Sequence, residues 1–440
     1  MSQPTLFRET IFALSSGALP SGVAVIRLSG PHVRPALERL VGYIPPARLA
    51  TLRTVRSADG DVLDHGLVLF FEGPASFTGE DCAELQVHGG RATVAAILAE
   101  LASYSDTRLA EAGEFTRRAF MNGKLDLTTA EAFADLLAAE TESQRRLAMA
   151  NADGGQKQLY ESWRRRLLHA RAMIEAELDF ADESDVPGSV ADNVWADMTA
   201  LREEIVNHVE GYKAAEIVRD GFRVVLVGAP NAGKSSLLNA LAKRDVAIVT
   251  DIAGTTRDLV EVSLDLHGVK VIVSDTAGLR ASTDPVERMG IERALNAVAR
   301  ADLILELIAP NDQLPAYAVP EGVEIIRVFT KADLAGAIAE PGCHMISVIT
   351  GEGLAEVVQD ISHRAAAASR IESVVPSRSR HVSLLHEGSA HINRALLTKS
   401  HLELAAEELR LASSALGIIV GATGVEELLS VIFSEFCIGK

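Results

Sequence analysis

Gly228-Ala229-Pro230-Asn231-Ala232-Gly233-Lys234-Ser235 decides how this chain is read. The apolar run Phe222 to Val227 before it predicts a buried strand. Ser236-Leu237-Leu238-Asn239-Ala240-Leu241 after it predicts a helix. Between strand and helix, the spacing G-x-x-x-x-G-K-S is that of a phosphate cradle. Glycine lets the backbone wrap closely, so that successive N–H groups face phosphate, and the helix N-terminus adds the positive end of its dipole. In such a cradle Lys234 neutralises the β- and γ-phosphates, and the Ser235 hydroxyl holds Mg²⁺. Asn231, Ala232, Gly233 and Ser236 complete the nucleotide-binding stretch. The plain alternative is a Gly-rich turn before an ordinary helix; strand, loop, Lys-Ser pair and helix together speak against it.

Three further pieces lie downstream in a fixed order. Thr250-Asp251-Ile252-Ala253-Gly254-Thr255-Thr256-Arg257-Asp258 is a polar Gly/Thr loop, read as a switch, with Thr256 placed to give Mg²⁺ a second hydroxyl. Val269 to Ser274 predicts a strand that delivers Asp275-Thr276-Ala277-Gly278. There the carboxylate would hold Mg²⁺ through water and the Gly278 N–H would meet the γ-phosphate. Ile325 to Phe329 predicts a strand that delivers Thr330-Lys331-Ala332-Asp333. The Asp333 carboxylate can accept both donors of the guanine edge, a pair that adenine lacks. Each piece is weak alone; at strand ends and in this order they predict a GTPase binding GTP with Mg²⁺.

Composition sets the frame. The chain has 440 residues, enough for about three domains, and its 48% hydrophobic and 23% charged content predicts a soluble globular protein. No apolar run reaches the roughly 18 residues of a membrane span, and Met1 to Glu9 has no basic start followed by an apolar core. Cys82, Cys343 and Cys437 are far apart, which argues against a disulfide framework or zinc ribbon and fits a reducing cytoplasm. The net charge of −18 is unfavourable for a chain whose main task is gripping nucleic acid, although it allows a local basic patch. Arg145-Arg146 and Arg164-Arg165-Arg166 lie on helical sequence and read as solvated helix faces.

Residues 1–122 alternate short apolar runs with turns. Gly22 to Leu28, Gly66 to Phe71 and Ala83 to His88 predict strands, and Thr93 to Leu101 a helix, an α+β pattern. On spacing, Phe77-Thr78-Gly79-Glu80-Asp81 is a loop. Residues 123–218 change to a helical texture rich in Ala, Leu and Glu, broken at Asn151-Ala152-Asp153-Gly154-Gly155 and at Asp185-Val186-Pro187-Gly188. Trp163, Leu167, Ala170, Ile174 and Leu178 share one helical face, and Asp197 to Val218 predicts a further helix. Residues 219–370 return to alternating strands and helices, and 371–440 are helical again from Arg380 to Val420. The expected architecture is multidomain: an N-terminal α+β domain, a helical bundle built from two chain segments, and a Ras-like P-loop domain inserted between them.

The nucleotide motifs resemble those of the TrmE-Era-Era-like GTPases. The flanks Phe77-Thr78-Gly79-Glu80-Asp81, Glu114-Phe115-Thr116-Arg117-Arg118-Ala119-Phe120-Met121-Asn122-Gly123-Lys124-Leu125-Asp126-Leu127 and Phe436-Cys437-Ile438-Gly439-Lys440 resemble one branch, the MnmE (TrmE) family of tRNA modification GTPases. Departures from the pattern are Thr330 where the guanine motif usually has Asn, and Ala18 to Gly22 where the family has Gly-Arg-Gly. Ser347-Val348-Ile349 is the best match to the last guanine loop, usually Ser-Ala and a basic residue. Leu279 stands where Ras-like proteins carry a water-orienting Gln. The resemblance implies that K⁺, held at Asn231, Thr250, Ile252 and Thr255, replaces an arginine finger, and that Glu287 is catalytic. On residue chemistry alone Glu287 is open to being a helix cap or surface carboxylate.

The resemblance further implies a tetrahydrofolate-binding-like, dimerising N-terminal domain. It implies a heterotetramer with the FAD-dependent partner MnmG. Together they would place an aminomethyl or carboxymethylaminomethyl group on position 5 of the wobble uridine of certain tRNAs, with 5-formyl- or methylene-tetrahydrofolate as one-carbon source. Most tRNA contact would fall to the partner. Arg27, Glu84, Lys124 and Lys440 match folate-contacting positions, where each is otherwise an ordinary charge. Cys437 is either a buried structural thiol or a catalytic thiol near the folate. A ribosome-assembly GTPase of the Era type is the second reading; it calls for a basic RNA-binding module such as a KH domain.

Overall fold

Alternation of Ala24, Ile26 and Leu28, all buried, turns one face of strand β2 (Ser21–Ser29) into a core. The computed structural model describes residues 7–179, 189–244, 246–248, 261–276, 295–310, 317–334, 343–422 and the single positions 429, 432, 433, 436 and 439. It divides into two units, residues 1–134 with 416–440, and residues 135–415. Leu429, Ile432, Phe433 and Phe436, near the end of the chain, are grouped with the first unit.

In the first unit, β1 (Thr10–Leu14), β2, β3 (Thr51–Arg56), β4 (Val62–Phe71), β5 (Cys82–Gly89) and β6 (Thr107–Leu109) form one sheet ordered β3-β4-β5-β2-β1-β6. All its pairings are antiparallel except β1 with β6. Helices α1 (Val33–Val41) and α2 (Arg91–Ala102) bury Val33, Leu37, Leu40, Val94, Ile97 and Leu101 with the sheet's apolar residues. Helices α3 (Glu114–Met121) and α4 (Leu127–Ala138) follow. Phe120, Leu127 and Ala130 pack with Ile432, Phe433 and Phe436 from the far end of the chain. Gly113, at φ +64°, lies so close to Phe433 that an added Cβ would come within 2.5 Å of its carbonyl oxygen. The Ser15 hydroxyl donates to the Gly439 carbonyl at 2.7 Å.

A charged network lies beneath α3. Arg118, 1% exposed, donates to Glu80 Oε2 at 3.0 Å, Glu114 Oε1 at 3.1 Å and the Glu9 carbonyl at 3.0 Å. Glu80 also accepts from the Ser29 hydroxyl at 2.7 Å, and Arg108 donates to both Glu114 oxygens. Charges this deep persist only when paired and hydrogen-bonded.

In the second unit, helices α5 (Glu142–Ala152), α6 (Gly155–Asp179), α7 (Ser189–Glu210) and α8 (Tyr212–Asp220) precede the second sheet. The run expected as one helix from Asp197 to Val218 is therefore two, divided at Gly211. A Cβ there would meet Val375 Cγ1 at 2.4 Å. Likewise the texture from Leu125 to Leu147 breaks at Thr141, which with Gln144 forms a capping box. After the sheet come α10 (Leu354–Ala368), α11 (Ser379–Leu397) and α12 (Leu402–Val420). Helices from both flanks meet: Gln156 Nε2 donates to the Val375 carbonyl at 2.7 Å, and the Tyr160 and His381 rings lie 6.2 Å apart. Tyr160, Trp163, Leu167, Ala170 and Ile174 are buried. No helix among the described residues is long and apolar enough to cross a membrane.

Within this bundle His208 shares a hydrogen bond of 3.0 Å with the Tyr160 hydroxyl and meets Trp163 edge-on at 5.2 Å. Burial, with His381 nearby, pushes its imidazole down to about 4. An unfolded His takes its proton near 6.5. The neutral folded form therefore contributes full stability above that pH and loses it as pH falls towards 4, by up to about 3 kcal/mol. His208→Gln is expected to flatten the fall of melting temperature between pH 7 and 4.5; an unchanged slope would contradict the assignment.

The second sheet contains β7 (Phe222–Gly228), β8 (Glu261–Leu266), β9 (Val269–Asp275), β10 (Leu303–Ile308), β11 (Glu324–Phe329) and β12 (His344–Met345), ordered β12-β11-β10-β7-β9-β8. Only β8 with β9 is antiparallel. β7 lies between β9 and β10, so the strand order reverses at its carboxyl end. In open α/β sheets a ligand crevice forms at such a point.

Candidate active site

The loop leaving β7 is shaped by its small residues. A Cβ on Gly228 would stand 2.5 Å from the Leu307 carbonyl oxygen. Asn231 and Gly233 adopt left-handed backbone, at φ 67° and 95°. Helix α9 (Lys234–Ala242) then begins with its N–H groups towards the loop, anchored by buried Leu237, Leu238 and Leu241. Lys234 Nζ donates to the carbonyls of Gly228 at 2.9 Å and Ala229 at 3.1 Å.

Strand β9 ends at Asp275, beside β7 in register with Leu226. The Ser235 hydroxyl donates to Asp275 Oδ2 at 2.6 Å. Asp275 is 3% exposed, and its Oδ1 is shielded with no partner among the described residues. A buried carboxylate oxygen without a donor is costly. A hydroxyl and a carboxylate, both hard oxygen donors, fit Mg²⁺ with its retained waters. The Thr276 hydroxyl donates to the Leu226 carbonyl at 2.6 Å, which fixes the strand end.

The carboxyl ends of β11 and β12 close the other side. Thr330 Oγ1 donates to the Ala232 carbonyl at 2.8 Å, so the residue standing for the usual Asn ties this strand end to the phosphate loop. Ser347 Oγ donates to Asp333 Oδ1 at 2.7 Å, and the Ala332 N–H to the Ile346 carbonyl at 3.0 Å. The result is one cavity of ≈ 500 Å³ whose walls include Asn231, Lys234, Ser235, Thr330, Asp333 and Ile349. Gly233, Ser236, Lys331 and Val348 also line it. The arrangement can take a phosphate chain at one end and a planar base with paired donors at the other. Thr250 to Thr256, Ala277, Gly278, Glu287, Cys437 and Lys440 lie outside the described residues.

In the first unit, Arg27 and Glu84 face each other across β2 and β5. Arg27 Nε and Nη2 donate to Glu84 Oε1 at 3.1 and 2.9 Å, with the guanidinium near the rings of Phe77 and Phe115. A ligand carboxylate or pterin edge would compete with this pair. Lys124 Nζ donates to the Pro74 carbonyl at 3.0 Å. Reading Phe77 to Asp81 as a loop missed that its Glu80 carries half of the buried Arg118 network. The available signal was Glu114 and Arg118, opposite charges one helical turn apart.

Two family models match the chain: "GTP-binding protein TrmE N-terminus" over residues 10–124 and "MnmE helical domain" over 127–437. The tRNA modification GTPase MnmE of Rhizobium meliloti (strain 1021) is 57% identical over 439 residues, 99% of this chain and 100% of its own length. That of Brucella anthropi is 55% identical over 444 residues, all of both chains. Among solved structures, Aquifex aeolicus Era bound to GDP.AlF4- matches at 24% identity, over 38% of this chain and 66% of its own, with a TM-score of 0.27. At that score the likeness carries no weight on function.

Proposed function

The chain belongs to the MnmE (TrmE) family of tRNA modification GTPases, and from that premise we propose how its residues divide the work. It is a P-loop enzyme that hydrolyses GTP, with Mg²⁺ as the metal such chemistry uses. The reading rests above all on Ser235 and Asp275: a 2.6 Å hydrogen bond joins a hydroxyl lining the cavity to a buried carboxylate whose other oxygen has no partner among the described residues.

In this reading Ser235 and Thr256 hold Mg²⁺, with Asp275 behind a bound water. Bound there, Mg²⁺ would supply positive charge to the phosphate chain. Lys234 and the loop N–H groups orient the phosphates, and the Gly278 N–H meets the γ-phosphate. Asp333 accepts from the guanine edge, with Ser347, Val348 and Ile349 closing the base pocket. Leu279 cannot orient water; the family resemblance assigns that role to Glu287, and Asn231, Thr250, Ile252 and Thr255 would hold a K⁺ supplying the extra positive charge.

The first unit dimerises and binds a tetrahydrofolate through Arg27, Glu84, Lys124 and Lys440. Cys437 acts beside it. With the FAD-dependent partner MnmG, in the cytoplasm, the enzyme modifies position 5 of the wobble uridine. Domain limits are proposed at 1–122, 123–218, 219–370 and 371–440. A ribosome-assembly role draws on the G region alone, whereas the two family models span 10–437 between them.

Nucleoside mass spectrometry of tRNA from cells lacking this chain tests the reading. The wobble side chain is expected to vanish and to stay absent when Lys234→Ala or Cys437→Ser protein is restored. Its persistence in the deletion would overturn the assignment. Hydrolysis is expected to be much faster in KCl than in NaCl; equal rates would remove K⁺ from the mechanism.

A further inference from the structure

Between the last turn of α1 and strand β3, the first unit holds a second cavity, of ≈ 490 Å³. Its lining includes Arg39, Gly42, Leu52, Arg53, Arg56 and His65. Three arginines in one recess stand out in a chain of net charge −18. Most arginines near acidic groups here are paired with them; yet among the described residues no carboxylate forms an ion pair with Arg39, Arg53 or Arg56.

Aromatic faces, rather than carboxylates, hold two of the guanidinium groups. Arg53 lies 4.2 Å over the Tyr43 ring and Arg39 4.9 Å over the Tyr104 ring. Stacking engages the flat face of a guanidinium and leaves its N–H edges for planar or tetrahedral anions. Arg53 gives one N–H of Nη2 to the Tyr43 hydroxyl at 2.5 Å and one of Nη1 to the Leu52 carbonyl at 3.3 Å, and its Nε is shielded, so it offers an anion its second Nη hydrogens and its unneutralised charge. Arg56 Nη1 donates to the Gly60 carbonyl at 3.0 Å. A register shift between Val55 and Arg56 twists the end of β3 at this point. His65 shares a 3.0 Å hydrogen bond with Thr54 through Nδ1, which leaves Nε2 for another partner.

We infer that this recess binds the phosphate backbone of the substrate tRNA. The inference rests on the tRNA-modifying reading above. A chain so acidic must confine any nucleic-acid contact to a place where cations are not already neutralised by carboxylates. Pre-stacked arginines lose little freedom on meeting phosphate, and an open recess suits a strand passing through it.

The full-length protein should be titrated with bulk tRNA at several salt concentrations. Arg39→Gln/Arg53→Gln/Arg56→Gln protein, its fold checked by circular dichroism, is expected to bind at least about tenfold more weakly. Its slope of log affinity against log salt should be shallower by about one unit for each phosphate no longer neutralised. The Arg→Lys version of the same triple variant keeps the charge and should retain most of the slope, which guards against a folding artefact. An unchanged affinity and slope in the Gln variant would overturn the proposal. So would calorimetry in which inorganic phosphate binding depends on these arginines while tRNA binding does not; the recess would then serve a free anion. Failure of the parent protein to bind tRNA also overturns it. The nucleoside assay separates that outcome from failure of the modification reading, because the wobble side chain would still disappear in the deletion.

Discussion

Asp275→Asn is expected to slow GTP hydrolysis by about 10²-fold or more, and to raise the Mg²⁺ concentration needed for half-maximal rate by roughly 10–100-fold. The substitution preserves shape and leaves an amide oxygen able to accept from Ser235 Oγ, now 2.6 Å from the carboxylate. It removes the negative charge at the buried Oδ1, the feature by which the proposed site would draw a cation. Stability should change little, since a buried unpaired carboxylate oxygen becomes a neutral amide group. Ser235→Ala should shift the Mg²⁺ requirement in the same direction. The double variant should fall short of the sum, because the two side chains act on one ion. A Mg²⁺ titration of steady-state hydrolysis measures all three. If Asp275→Asn keeps the parent's Mg²⁺ dependence, the carboxylate does not serve the metal.

Arg118→Ala is expected to destabilise the first unit by about 3–5 kcal/mol, a large part of the roughly 5–15 kcal/mol that a domain commands. The arginine is the shared partner of Glu80 and Glu114, whose side chains are 5% and 0% exposed. Burial by itself pushes the Glu114 carboxyl up. Hydrogen bonds from Arg108 and the Glu111 N–H, with the charge of Arg118, outweigh it and hold the group at about 2. Removing Arg118 leaves Glu80 without its cation at the centre of the cluster. Denaturant unfolding of the full chain, followed by a probe in the first unit, should show the midpoint fall. Arg118→Met with Glu80→Gln and Glu114→Gln should recover part of the loss, since neutral groups need no counter-charge there. A single variant as stable as its parent would show that the network contributes nothing net.

The nucleotide half of the molecule was legible because phosphate chemistry constrains local sequence. A glycine that clears the Leu307 carbonyl, a lysine and a serine must stand at set spacings after a strand, and no tertiary partner can substitute for them. Strand ends at Asp275 and Phe329 followed from apolar runs. Thr330 was the informative departure, and its bond to the Ala232 carbonyl shows a short hydroxyl reaching the phosphate loop. Elsewhere pattern was too local a guide. The break at Gly211 depends on Val375, more than 160 residues away, which leaves no room for a Cβ. The Arg118 cluster joins residues from β2, the loop before β5 and α3, so charges that look solvent-facing in sequence meet only once the sheet exists. The arginines lining the second cavity come from two elements, Arg39 from α1 and Arg53 and Arg56 from β3, and meet only in the fold.

Ile432, Phe433 and Phe436 complete a core cluster of a unit whose sheet is made from the first 110 residues. On the ribosome this reverses the usual order of events. The six strands emerge early, yet the faces of Phe120, Leu127 and Ala130 wait uncovered while about 300 further residues are made. At typical synthesis rates of about 5–20 residues per second that delay is roughly 15–60 s. The intervening unit can settle first, and the earliest-made part of the chain is sealed last. A chain cut short before Leu429 would therefore keep its nucleotide fold and leave the first unit open to aggregation.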